Sequence, residues 1–226
     1  RIRRGSISSI SSWSSVRPNS PASRTASAAS IPGWPVCTSR ARIRRRCNGS
    51  TAGGTGSSTQ SDGTTTAPTA SLVAGGDIML DRANAAGVYN ARSAIGGTIT
   101  LRNAGNLTVN AITAQNGTVN LASNTGSVGQ LLVPGNSIWA GRLNASAATD
   151  IDLAASNITG LLGNLTAGGS IRYNSFGTLG LDGDIRAVGG VTFGIQGYLG
   201  QYSGTIAASH LDVTASGIAL IGANDI

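Results

Sequence analysis

Neither lysine nor glutamate occurs anywhere in this chain of 226 residues. Every basic residue is arginine and every acid is aspartate, a usage that points to a GC-rich bacterial gene avoiding adenine-rich codons. Histidine is a single residue, His210. A catalytic triad would need further partners, and with no glutamate and no cysteine beyond Cys47 the sequence supplies none. The two cysteines, Cys37 and Cys47, leave the rest of the chain without a disulfide framework or a Cys-based metal site. No apolar run reaches the length of a membrane span. The chain starts at Arg1 and its one methionine is Met79, so it is expected to be a fragment, with no signal peptide in view.

What the chain does contain is glycine, at 33 residues, against only 4% aromatics. Glycine is costly inside helices and permissive at tight corners, so a stack of short strands joined by turns fits better than a bundle. The net charge of +7 is unevenly spread. Ten of the 16 arginines lie in residues 1–46, whereas from Ser71 onward six Arg face eight Asp, a balance of −2.

The same division organises the chain. Residues 1–47 mix Ser, Arg and Pro without periodicity and are expected to be disordered. An out-of-frame reading of GC-rich DNA yields this same composition, and that alternative stays open. Residues 48–70 are Gly/Ser/Thr-rich and are expected to form a flexible linker. From 71 to 226 a repeat of about twenty residues takes over. One apolar column reads Ile78, Ile99, Val119, Ile151, Ile171, Val191 and Leu211, and a second lies two residues later, from Leu80 to Val213. The positions between them are mostly polar, among them Thr100, Asn120, Asp152 and Arg172. In–out–in alternation is a strand with one buried face. Further strand starts follow at Leu107, Val128, Ile158, Leu179, Leu199 and Ile218, and in the later repeats others precede the first column at Leu165, Ile185 and Ile206, giving three short strands per repeat.

The constant step favours like residues stacked on like, as in parallel coils, over a hairpin array. The expected fold is all-β: a single-stranded, right-handed parallel β-helix of about six to seven coils behind a disordered N-terminal segment. One step is 32 instead of 20, between Val119 and Ile151. It predicts an insertion of 12 residues over 130–141, a loop leaving the coil, since proline is excluded from a central ladder. Pro134 and Trp139 lie there and are the candidate binding residues, because exposed loops on a rigid scaffold tend to carry recognition. Equally, Trp139 can fold back to cap the coil. A smaller excursion is expected over 81–94.

Gly-Gly or Asn-Gly before Ile-x-Leu, together with GNLTVNA (105–111), NLTAGGSI (164–171) and LDVTASG (211–217), resembles the filamentous haemagglutinin family. That resemblance implies a right-handed β-helical filament, exported by two-partner secretion through an outer-membrane pore to the surface of a Gram-negative bacterium. It also implies a receptor or glycan on another cell as partner. The Asn-Pro-Asn motifs of the family's secretion module are absent from the repeat region.

Other constellations read as surface. Asp150 and Asp152 flank an inward Ile151 and point outward, and Asp182 and Asp184 bracket a turn glycine. The motifs of pectin-degrading β-helices are not present, and two carboxylates without a third fall short of a usual Ca²⁺ site. The run from Arg40 to Arg46 could neutralise phosphates, but no specific nucleic-acid partner is expected from it. No catalytic, cofactor-binding or metal-binding residue is therefore expected, and no cofactor. The function expected is that of a non-enzymatic shaft segment of a secreted adhesin. The alternatives are a secreted carbohydrate-active β-helix or a piece of an autotransporter passenger.

Overall fold

The computed structural model describes residues 36–38, 50–54, 56–60, 63–94 and 96–226. The Arg40–Arg46 run, and with it most of the basic segment 1–47, lies outside the described residues. Among the described residues there are eighteen strands and no helix. The first nine are β1 (Val36–Thr38), β2 (Ser50–Gly54), β3 (Ser58–Thr59), β4 (Thr66–Ala74), β5 (Ile78–Ser93), β6 (Ile99–Asn103), β7 (Leu107–Ser123), β8 (Val128–Gln130) and β9 (Ile138–Ala147). Then come β10 (Ile151–Ala167), β11 (Ile171–Ser175), β12 (Leu179–Asp182), β13 (Ile185–Ala187), β14 (Gly190–Ile195), β15 (Tyr198–Ser203), β16 (Ile206–Ala207), β17 (His210–Thr214) and β18 (Gly217–Ala219).

Every pairing between strands is parallel, and the strands stack as a β-solenoid of about eight turns. The count exceeds six to seven because the coil starts before Ser71. Strand β2 pairs with β4 from Ser50↔Ala70 to Gly54↔Ala74, and β1 pairs with β2. The stretch 48–70 is thus largely ladder, not linker: small Ser, Thr and Ala side chains suit a coil as well as a tether, and composition alone does not separate the two. The segment 81–94 is not an excursion on that scale either, since β5 runs through it to Ser93, with an irregularity between Leu80 and Asn84 and then in register with β4 from Ala85 to Ser93.

The alternation places the expected columns inward. Ile78, Ile99, Val119, Ile151, Ile171 and Val191 are buried, as are Leu80, Leu101, Leu121, Leu153, Tyr173 and Phe193. Yet these residues do not form one column. Val119 stacks on Leu143, and Leu143 on Leu162 and then Leu181. Ile151 instead stacks on Val128, which stacks on Leu107. The step of 32 therefore crosses from one side of the coil to another. Every side carries the same in–out alternation, so a shift from side to side looks like an insertion in sequence. The true excess is small: Val119 to Leu143 spans 24 residues and Val128 to Ile151 spans 23. It is taken up between β8 and β9, over residues 131–137.

Asparagine and glycine make the tight corners. Asn116 holds φ at 61°, and a Cβ on the following Gly117 would stand 2.3 Å from the Gly97 carbonyl oxygen one coil below. Only glycine permits that approach.

The core also holds polar atoms. Tyr173 is fully buried and its hydroxyl bonds the Thr159 hydroxyl. Burial, partly offset by that bond and one to Ser175, pushes its pKa from 10.0 up to about 12. Since the folded value is raised, this tyrosine's contribution is intact below pH 10 and is lost as pH climbs from 10 to 12. Two pH units correspond to roughly 2–3 kcal/mol. Tyr173→Phe is expected to flatten that part of the stability–pH curve in urea titrations. An unchanged fall would mean the hydroxyl is hydrated.

Candidate functional site

Pro134 and Trp139 belong to different structural elements. Pro134 is exposed in the turn 131–137, beside the exposed Leu131, Leu132 and Val133. Trp139 is the second residue of β9, paired with Thr113 below and Ile158 above. It neither leaves the coil on a loop nor folds back over it. Its neighbours Ile138 and Ala140 point inward, so strand alternation turns the indole outward, 40% exposed.

That outward position continues along the axis. Ile158, stacked on Trp139, is 42% exposed. Asn157 pairs with Ser175, and the Phe176 amide donates to the Asn157 carbonyl at 2.7 Å, so Phe176, 60% exposed, is next in the column. Residues 139, 158 and 176 lie 19 and 18 apart, so only the coil register joins them. Coils repeat about every 4.8 Å, and the three side chains form an apolar stripe along the rod.

A second group lies on the coils that follow. Leu161, Gly180 and Gly200 share an outward column. The glycines carry no side chain, and aromatic rings occupy the space. A Cβ on Gly180 would meet Tyr202 Cε2 at 2.5 Å, and one on Gly200 would meet Tyr198 Cε1 at 3.1 Å. Both tyrosine rings therefore rest on strand backbone while remaining largely exposed.

The charged groups bordering these rings are tied up. Arg142 reaches across the coil of Gly163 to the Asp182 carboxylate, and its Nη2 donates to the Asp182 carbonyl at 2.6 Å. Gly163 makes the crossing possible, since a Cβ there would stand 2.7 Å from Arg142 Nε. A hydrogen bond from the Ser203 hydroxyl at 2.8 Å, reinforced by Arg142, holds the Asp182 carboxyl below its ordinary value. Asp184 is likewise lowered, by Arg186 at 2.8 Å and by the Thr205 amide and hydroxyl.

The opposite style of surface runs along another side. Thr100, Asn120, Asn144, Asn164 and Asp184 form a ladder of side-chain bonds from coil to coil. With Asp81, Arg102 and Ser146, the first four of these line a shallow groove. Asp150 and Asp152 are exposed, and Asp152 is the register partner of Arg172, the pairing that a period of twenty requires. The ion pairs among the described residues are Arg82–Asp81, Arg142–Asp182 and Arg186–Asp184, so Asp152 and Arg172 mark register without bridging. His210 is exposed at the start of β17, its ring beside Gly190. Among the described residues no group of three His, Cys, Asp or Glu could hold a metal ion.

Tyr173 and Phe193 stack inward as core. Sequence reasoning found Trp139 but missed Ile158, Phe176, Tyr198 and Tyr202. The available signal was the packing of outward aromatics on outward glycines, Tyr202 on Gly180 one coil away and Tyr198 beside Gly200 in its own strand, and the first of these needs the register. Comparison with protein-family models, curated proteins and solved structures finds no match for this chain.

Proposed function

We propose that this chain is a shaft segment of a large secreted bacterial surface adhesin, similar in design to the filamentous haemagglutinins, and that it works without catalysis. The observation that carries the reading is the unbroken parallel stack of about eight turns. Outward side chains there bond mainly to the next coil, as in the ladder through Thr100, Asn120 and Asn144. Continuous backbone ladders give a rod its stiffness, and a stiff rod holds binding surfaces away from a cell. Export through an outer-membrane pore to the surface of a Gram-negative cell, and a receptor or glycan on a second cell as partner, follow from the same reading.

Beads coated with the full chain should attach to cultured epithelial cells several-fold more than beads coated with an unrelated protein of equal charge. Equal attachment would count against an adhesive role. Release of new reducing ends from pectin or other polysaccharides by the purified chain would count against a non-enzymatic one.

A further inference from the structure

The seven aromatic side chains among residues 56–226 divide sharply. Tyr89, Tyr173 and Phe193 fill the core, whereas Trp139, Phe176, Tyr198 and Tyr202 are exposed on one run of consecutive coils. Outward aromatics are not required by the fold, because the stacking column through Thr108 and Gly129 does without them. Exposed aromatic area gathered on one side of a rod is the kind of surface that marks a contact site.

We propose that this aromatic side binds a neutral polysaccharide, laid along the rod with its sugar rings stacked on Trp139, Phe176, Tyr198 and Tyr202. The inference names the ligand of the adhesive surface and so rests on the adhesin reading. The flat face of a sugar ring presents C–H bonds with partial positive charge, and an aromatic face is electron-rich, so the two stack. Tyr198 and Tyr202 are pre-set for this: backed by Gly180 and Gly200, they offer broad surface with little side-chain freedom left to lose.

Charge selects the class of polymer. Arg142 and Asp182 neutralise one another at the edge of the rings, and the stripe of Trp139, Ile158 and Phe176 continues to Gln196 without a charge. The stripe residues themselves carry no charge, so a polyanion or polycation gains no ion pair from them. Hydroxyl and amide groups at Thr178, Gln196 and Ser203 lie between or beside the rings, and these suit the hydroxyls of a glycan better than a lipid surface. Trp139 and Phe176 stand in one column two coils apart, and Tyr198 and Tyr202 lie together on β15 of the next coil in neighbouring columns, so a chain running along this side meets several rings at once.

Affinity electrophoresis of the full chain through gels holding dextran, soluble β-1,3-glucan, galactomannan or dextran sulfate tests this. At least one neutral gel should retard the protein. The double variant Phe176→Ala, Tyr202→Ala should lose roughly tenfold or more in affinity, while Arg172→Ala should migrate as the parent does. Melting curves check the fold, and Tyr198→Ser provides a second reading if the double variant melts early. Retardation by dextran sulfate alone, no retardation in any neutral gel, or undiminished retardation of the folded variants overturns the proposal. So does a dimer in sedimentation that Phe176→Ala dissolves without any gel retardation, since the stripe would then be a contact between copies of the chain. Intact gel retardation with beads that fail to attach would sink the adhesin reading while leaving the glycan site standing.

Discussion

Ile171→Asp is expected to melt out the coils around it, at a cost on the order of 4 kcal/mol or more. Ile171 is 1% exposed and sits between Ile151 and Val191 in consecutive coils. A carboxylate there has aliphatic neighbours above and below, and in a solenoid the damage passes to adjacent repeats because each coil is the other's core. Thr100→Asp is the matched control. Thr100 points outward, and its hydroxyl accepts from Asn120 Nδ2 at 3.2 Å, a bond that an aspartate oxygen can also accept. Its effect should stay within about 0.5 kcal/mol. Urea titration followed by circular dichroism separates the two. Equal losses would invert the assignment of inside and outside along these strands.

The alternation behind that contrast was legible in the sequence because it is local: Ile78-Met79-Leu80 and Ile171-Arg172-Tyr173 declare their buried face within three residues. The side of the coil to which a strand belongs is not local. Val119 and Ile151 carry the same signature but sit in different columns, and only their partners, Leu143 and Val128, reveal it. The aromatic surface was hidden for the same reason. Ile158 looks like a core residue in sequence, and its exposure follows from Asn157 beside it, which turns inward although it is polar. Trp139 was found because tryptophan is rare in this chain, and its setting was misjudged because the turn containing Pro134 ends sooner than its composition suggests.

Asn157 is also where a small change should cost most for its size. It is fully buried, and its amide satisfies four groups at the corner before Ile158. Nδ2 donates to the carbonyls of Leu153 at 2.9 Å and Asn174 at 3.2 Å. Oδ1 accepts from the Ile138 amide at 2.8 Å and from Gln130 Nε2 at 2.9 Å. The same clasp recurs twice. Asn84 Oδ1 accepts from Thr65 N at 2.7 Å and Gln60 Nε2 at 2.8 Å, and Asn224 Oδ1 accepts from Ile206 N at 2.8 Å and Gln201 Nε2 at 3.0 Å. In those two the glutamine oxygen receives the asparagine amide in return, whereas Gln130 Oε1 is buried without a partner. Asn157→Ala strands two donors and two acceptors in a dry corner, each worth about 1–3 kcal/mol, so with partial relaxation a loss of about 3–6 kcal/mol is expected. Gln130→Met removes one donor together with the unpartnered oxygen, and should cost no more than about 1 kcal/mol. Combining the two should cost less than their sum, because the methionine no longer presents an amide that needs Asn157. The comparison is made by equilibrium unfolding of the three variants. An Asn157→Ala variant within about 1 kcal/mol of the parent would show that water fills the corner, and that the amide clasp is a consequence of the fold instead of one of its supports.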